Sequence, residues 1–195
     1  KLVKVYKNTK VDAQMLKDAD VDAVILAIGS SPITIKLEGM DKLQHASAPE
    51  VLRHEVCPKG KVAVIGGGLV GLETADTLAT DGCDVTVLEM KDEIGSDLGS
   101  LRKIAVMMKL QQMQVKMLPN SKVCKFTEEG IVLEDETLVP CNCAVFAVGF
   151  ASNDSHLLVE ECEKRQIPCR VIGDAKSARR ALDAIAEGFE AARTL

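Results

Sequence analysis

The stretch KVAVIGGGLVGLETADTLATDGCDVTVLE, residues 61 to 89, decides the fold. Lys61 to Ile65 is a β-branched, apolar run broken by Gly66-Gly67-Gly68. Val70, Leu72, Ala75, Leu78 and Ala79 then recur at helical spacing until Asp81-Gly82 stops them, and Asp84 to Glu89 is again strand-like. Strand, glycine turn, helix and strand within about 30 residues is the βαβ unit, whose crossover is right-handed. Gly66, Gly68 and Gly71 occupy the fixed positions of G-x-G-x-x-G, with Gly67, Leu69 and Val70 between them. In that pattern the first glycine turns the chain out of the strand, the second leaves room for a pyrophosphate and the third lets helix and strand pack closely. The first amides of the helix then face the ligand, and the helix dipole favours its charge. Glu89, at the end of the second strand and 21 residues beyond Gly68, stands where an acid meets the adenosine ribose.

A carboxylate at position 89 accepts from both ribose hydroxyls and repels a 2'-phosphate, which favours NAD(H) over NADP(H); Lys91, close by, works in the other direction. Glu73, two residues past Gly71, has two readings. It is an acid placed favourably near a helix N-terminus, or a carboxylate aimed along the groove toward the nicotinamide.

Outward from this unit the chain is ordinary for a globular protein. Of its 195 residues 47% are apolar and 27% charged, with a net charge of −5, which excludes a disordered chain. No apolar run is long enough for a membrane span. The acidic balance argues against nucleic acid, since a phosphate backbone needs a clustered basic face; the one Arg pair, Arg179-Arg180, reads as a solvated helix face. With no Trp and a single Tyr, a pocket built on aromatic stacking is not expected. Seven cysteines form no CxxC, so neither a redox disulfide of that spacing nor a zinc ribbon is available. Cys141 and Cys143, two apart in a strand pattern, read as small hydrophobes on one buried face. An odd thiol count without a secretion signal suggests a reducing cytoplasm. The first residue is Lys1 rather than Met, and the chain reads as a piece of something longer.

Along the remaining sequence, Asp12 to Asp18 suggests one or two helical turns, and Ala23 to Ile28 a buried parallel strand ending at Gly29. Residues 37 to 60 read as a connector with one short helix near Glu50 to His54. Leu101, Ile104, Ala105 and Met108 recur at i, i+3, i+4 and i+7 and mark the packing stripe of a second helix. Four short strands, 115–118, 122–126, 131–133 and 137–139, then form a small antiparallel meander. Cys143 to Val148 is a buried strand ending in Gly149, and a helix is expected near residues 157–164. After Gly173-Asp174, a last helix packs through Ala181, Ile185, Gly188 and Ala192. The fold class expected is α/β: a Rossmann-like NAD-binding domain, made of a parallel sheet with helices and a small antiparallel meander.

The order of AIGSSP (27–32), VAVIGGGLVGLETA (62–75), DVTVLEMKDEIGSDLG (84–99), AVFAVG (144–149) and VIGDA (171–175) resembles the pyridine nucleotide-disulfide oxidoreductase-like flavoprotein reductases. The wording after Glu89, with GDAKSARRALDAIAEGFEAA near the end, is most similar to the C-terminal half of the old yellow enzyme-related NADH:flavin oxidoreductases, including 2,4-dienoyl-CoA and 2-enoate reductases. The resemblance implies an NAD domain inserted into an FAD domain. Gly29 and Ala147-Val148-Gly149 match the two Ala-x-Gly turns at the insert's edges, although Ile28 stands where the family has Thr. Gly66, Gly68, Gly71, Glu73 and Glu89 match the NAD site. Gly173 and Asp174 match the flavin turn, whose acid is expected on the ribityl chain.

The organisation implied is a partial FAD-domain segment at 1–36, a connector at 37–60, the NAD(P)-binding domain at 61–150, and a second partial FAD-domain segment with the C-terminal helix at 151–195. Family members hold the FAD pyrophosphate through a second glycine-rich unit, for which this sequence has no motif, and the resemblance places FMN on a barrel and an iron–sulfur cluster elsewhere in the same polypeptide. The expected activity is electron input, NADH to FAD, with the chain alone lacking turnover. No general acid, base, nucleophile or metal ligand is expected; His45, His54 and His156 lie in loop patterns without a visible partner. A non-catalytic NAD-sensing module and a disulfide or peroxide reductase of the same two-domain superfamily are the alternatives.

Overall fold

The computed structural model describes residues 3–195. In chain order the elements are α1 (Ala13–Asp18), β1 (Val24–Leu26), β2 (Ser30–Pro32), β3 (Gln44–Ser47), α2 (Ala48–Leu52), β4 (Lys61–Ile65), α3 (Leu69–Thr80), β5 (Asp84–Leu88) and α4 (Ser100–Gln112). They continue with β6 (Lys116–Leu118), β7 (Val123–Thr127), β8 (Gly130–Leu133), β9 (Leu138–Pro140), β10 (Cys143–Phe146), β11 (Phe150–Ser152), α5 (His156–Lys164), β12 (Cys169–Val171) and α6 (Ala181–Thr194). The chain divides into two compact units, Lys1–Ser31 with Phe150–Leu195, and Pro32–Gly149.

The central unit is built on a five-stranded sheet in the order β3-β10-β4-β5-β6, every neighbouring pair parallel. Alternation along the strands sends side chains to two different cores. Val62 and Val64 of β4, Val85 and Val87 of β5, and Cys143 and Val145 of β10 join Leu72, Ala75, Leu78 and Leu110 from the helices on one face. Ala63, Ile65, Leu88 and Ala144 face the other way and meet Phe126, Ile131, Leu133 and Val139, from the antiparallel sheet β7-β8-β9. Both faces are covered, which is why these strands read as continuous apolar runs rather than alternating ones.

Five sequence expectations need correction in this unit. The stretch read as a connector supplies β3, the edge strand beside β10. The helix after it starts earlier than expected, at Ala48, because Glu50 accepts from both the amide and the hydroxyl of Ser47 at 2.7 Å, a capping box. Residues 116–118 leave the meander and pair in parallel with β5; α4 between the two strands makes this a second βαβ crossover, the only way to join parallel neighbours. The stripe of α4 is also rotated. Leu101, Ile104 and Met108 are exposed, while Leu110 is buried and Val106, Met107 and Met113 pack on the core. Finally, Cys141 and Cys143 are both buried but lie in opposite cores, because Cys141 precedes the strand and escapes its alternation.

In the other unit β1 pairs, among the described residues, only with β12, in parallel, and β11 pairs with β2. Asp12 caps α1 by accepting from the Met15 amide at 2.8 Å. The guanidinium of Arg165, just past α5, donates to the carbonyls of Leu16 and Ala19 at the end of α1. The strand expected to be buried at 23–28 is parallel, but its Ile25 is 42% exposed, because no element among the described residues covers that side. The face of α6 is likewise shifted from expectation: Ala191 is buried and Ala184, Glu187 and Gly188 are partly buried, whereas Leu182, Ile185 and Phe189 are exposed. No helix among the described residues is long and apolar enough to cross a membrane.

Candidate functional site

At the carboxyl end of β4 the chain turns at Gly66, where φ is +110°. Its amide donates to the Leu88 carbonyl at 2.8 Å, and a Cβ there would overlap the carbonyl of Ala147. One turn into α3, a Cβ on Gly71 would overlap the Gly66 carbonyl. Helix and strand therefore touch backbone to backbone, which no other residue permits. Gly68 is the N-cap of α3, in extended conformation, and Leu69 and Val70 begin the helix, both half-buried. The first-turn amides have no intrahelical acceptor, and the turn leaves them facing outward.

Glu89 is fixed from every side. Its amide donates to Leu118 at 3.0 Å and its carbonyl accepts from Ser121 at 2.7 Å. One carboxylate oxygen accepts from the Gly67 amide at 2.7 Å and the other from the Lys91 amide at 2.9 Å. The acid at the end of β5 is thus bonded directly to the glycine turn. The turn Ala147-Val148-Gly149 closes the same end of the sheet: Ala147 donates to Ile65 at 2.8 Å, and the Gly149 carbonyl accepts from Ile33 at 3.0 Å. Glu73 points at α4, where it pairs with Arg102 at 2.8 Å, both side chains about half exposed.

A separate group lies in the other unit. Gly29 has φ +71° and Gly173 φ +61°. The side-chain amide of Asn153 donates to the Ile28 carbonyl at 2.8 Å, and its main-chain amide to the Gly29 carbonyl at 3.0 Å. Asp174 accepts from the Ser30 hydroxyl at 3.3 Å and from the Arg179 amide at 3.2 Å. Glu187 accepts from the Gly173 amide at 2.7 Å and pairs with Arg179. The Arg179 bond, and then the Gly173 amide, hold the Glu187 carboxyl down at about 2.

Sequence reasoning overlooked three side chains here: Asn153, Glu187 and Asp97. Asp97 puts both carboxylate oxygens on the Leu69 amide, at 3.0 and 3.1 Å, across 28 residues of chain. No periodic pattern signals such a contact. Among the described residues no group of three or more His, Cys, Asp or Glu could hold a metal ion.

A parallel sheet with crossover helices, and a glycine turn feeding a helix N-terminus beside an acid, define the Rossmann-like class of dinucleotide folds. The chain belongs to the pyridine nucleotide-disulphide oxidoreductase family, whose sequence pattern matches residues 2–175. It is 36% identical over 191 residues to a bilirubin reductase of Mediterraneibacter gnavus, covering 94% of this chain and 29% of that protein. It is 34% identical over 201 residues to a cinnamate reductase of Clostridium sporogenes, covering 99% and 29%. The chain thus spans under a third of the length of these curated relatives. A 2-naphthoyl-CoA reductase structure shares the fold with a TM-score of 0.84 at 24% identity, over 96% of this chain and 29% of that one.

Proposed function

We propose that the central unit is the NADH-binding, electron-input domain of a flavin-dependent oxidoreductase, and that the other unit belongs to its FAD domain. In the parent enzyme NADH passes hydride to FAD for reduction of an enoate or dienoyl-CoA double bond. The observation that carries the reading is the glycine turn itself: Gly66 and Gly71 in backbone contact, Glu89 bonded to Gly67, and first-turn amides of α3 that have no acceptor within the helix.

These residues fit NAD(H). The turn and the first amides of α3 would hold the pyrophosphate, and Glu89 would meet the adenosine ribose and disfavour a 2'-phosphate. The nicotinamide, once bound, supplies the hydride; the protein here binds, orients and sets the local charge. For FAD the fit is partial: Gly29, Gly173 and Asp174 form turns suited to the flavin end, but the 195 residues contain no second G-x-G-x-x-G for its pyrophosphate. FMN and an iron–sulfur cluster have no assigned residues in this chain.

The FAD-domain assignment has physical support in the open edges of the β1–β12 pair. Two strands alone are marginal, and unpaired edges are where further strands attach; exposed Ile25, Leu182, Ile185 and Phe189 lie in the same unit. The names of the relatives support a reductase, and cinnamate is itself an α,β-unsaturated acid. Purified by itself, the chain is expected to bind NADH in calorimetry, to carry no stoichiometric flavin and to turn over no enoate. Absence of NADH binding overturns the dinucleotide reading, and stoichiometric flavin overturns the partial FAD site.

A further inference from the structure

We propose that Asp97 sets the affinity and charge selectivity of the dinucleotide site by competing with the ligand's phosphates for the amino end of α3. The inference rests on the dinucleotide reading above. After β5 the segment 90–99 returns over the glycine turn: the Gly95 amide donates to the Gly67 carbonyl at 2.7 Å, and buried Ile94 lies 3.2 Å from where a Cβ on Gly67 would be. This carries the Asp97 carboxylate onto the Leu69 amide, at 3.0 and 3.1 Å, and to within 3.2 Å of the Cβ position of Gly68. The space that Gly68 leaves open for a phosphate is the space this carboxylate enters.

An amide in the first turn of a helix has one proton to give, and a phosphate oxygen and a carboxylate cannot both sit on it. Binding therefore requires Asp97 to move aside, and whatever charge it keeps nearby opposes the ligand's own. Asp97 is exposed, so water can solvate it once displaced. The residue acts as a built-in competitor whose effect grows with the negative charge of the ligand and vanishes for a ligand without phosphate. Capping contacts of this kind correspond to a factor of about ten in affinity, ~1.4 kcal/mol.

The test is calorimetry of the whole chain with NADH, ADP and adenosine, on wild type, Asp97→Ala and Asp97→Asn, with thermal melting to confirm that each variant folds. Asp97→Ala is expected to bind NADH and ADP about tenfold tighter. Asp97→Asn, which keeps an acceptor but no charge, gains less, and adenosine is unchanged in both. Should Asp97→Ala fail to fold, the Asn variant carries the comparison. Folded variants that bind ADP and NADH no better than wild type overturn the competition, and so does an equal gain for adenosine, which would mean general loosening. Gly68→Leu separates the two levels. If it abolishes NADH binding while the Asp97 variants show no gain, the site stands and the competitor role falls; if no form of the chain binds NADH or ADP, the dinucleotide reading fails and takes this inference with it.

Discussion

The Glu89 carboxylate accepts a hydrogen bond from the Gly67 amide at 2.7 Å, so the acid that ends β5 and the turn that ends β4 form one rigid piece. Its second oxygen is oriented by the Lys91 amide, which leaves the carboxylate in place before any ligand arrives. A fixed negative group at this point discriminates by charge: it accepts from ribose hydroxyls and repels a 2'-phosphate. NADH is expected to bind at least about tenfold tighter than NADPH, and Glu89→Ala to bring the two within about threefold. Calorimetry showing equal or reversed affinities in the wild type would sink the assignment.

The backbone contact between Gly71 and Gly66 makes a second, sharper demand. Gly71→Ala forces α3 away from β4 because the new methyl meets a carbonyl rather than a movable side chain. The cost expected is about 1–3 kcal/mol, accompanied by loss of NADH binding. Gly82→Ala is the comparison: φ there is +86° and the space around it is open, so only backbone strain of about 1–2 kcal/mol is paid and binding is retained. Denaturant midpoints and NADH titrations on the two variants give the contrast. Equal binding by both would mean that the close approach does not shape the site.

How much of this was legible beforehand depended on how local the physics was. The run from Lys61 to Glu89 carries its own turn, helix and strand signals within one βαβ unit, and the structure follows it closely. The sequence pattern groups Lys116–Leu118 with the meander rather than with the parallel sheet, because three residues of strand pattern say nothing about the partner; only the intervening α4, by forcing a parallel return, does. For α4 and α6 the period was right and the phase wrong. Leu101-Ile104-Met108 and Val106-Met107-Leu110-Met113 are rival stripes on one helix, and hydropathy alone does not decide which meets the sheet. Of the candidate site, the glycines and Glu89 were visible as motif positions, whereas Asp97 and Asn153 act through contacts 28 and about 125 residues away, fixed by loop paths that leave no periodic trace.

The thiols divide sharply by environment. Burial first, and then a neighbouring thiol, push Cys141 and Cys143 up to about 11, so at pH 8 almost none of either is thiolate, the reactive form. Cys57 and Cys124 are exposed. Brief maleimide treatment of the native chain at pH 8 is expected to label Cys57 and Cys124 and to spare Cys83, Cys141, Cys143 and Cys162, all of which react after denaturation. Peptide mass spectrometry reads the outcome, and early labelling of Cys141 or Cys143 would contradict the two-core packing.

Glu187 ties α6 to the turn at Gly173, and its carboxyl is held down at about 2, first by the Arg179 guanidinium and then by the Gly173 amide. A carboxyl whose value is depressed on folding stabilises the native state fully above its ordinary value of about 4.5 and loses that contribution as the pH falls toward 2. The tie is therefore expected to loosen between those limits, and the Glu187 side-chain carboxyl should titrate well below the ordinary glutamate value of about 4.5 in an NMR pH series. Glu187→Gln is expected to show faster exchange of the Gly173 amide at neutral pH and less change with acid.

The rotated stripe of α4 makes the last expectation. Leu110 is 1% exposed in the core shared with Leu72 and Val87, while Leu101 is 86% exposed on the opposite side of the same helix. Truncating a buried leucine removes its transfer energy and leaves a cavity, so Leu110→Ala is expected to cost about 2–5 kcal/mol, a fall in Tm of at least about 4 °C for a chain this size. Leu101→Ala removes an equal volume from a side chain already in water and should stay within about 0.5 kcal/mol of wild type. Both substitutions exchange leucine for alanine in a terminal turn of α4, where the propensity difference between the two residues is small, so the contrast between them reports burial. Thermal melts in which Leu101→Ala is the more damaging would restore the stripe read from periodicity and place the opposite face of α4 against the sheet.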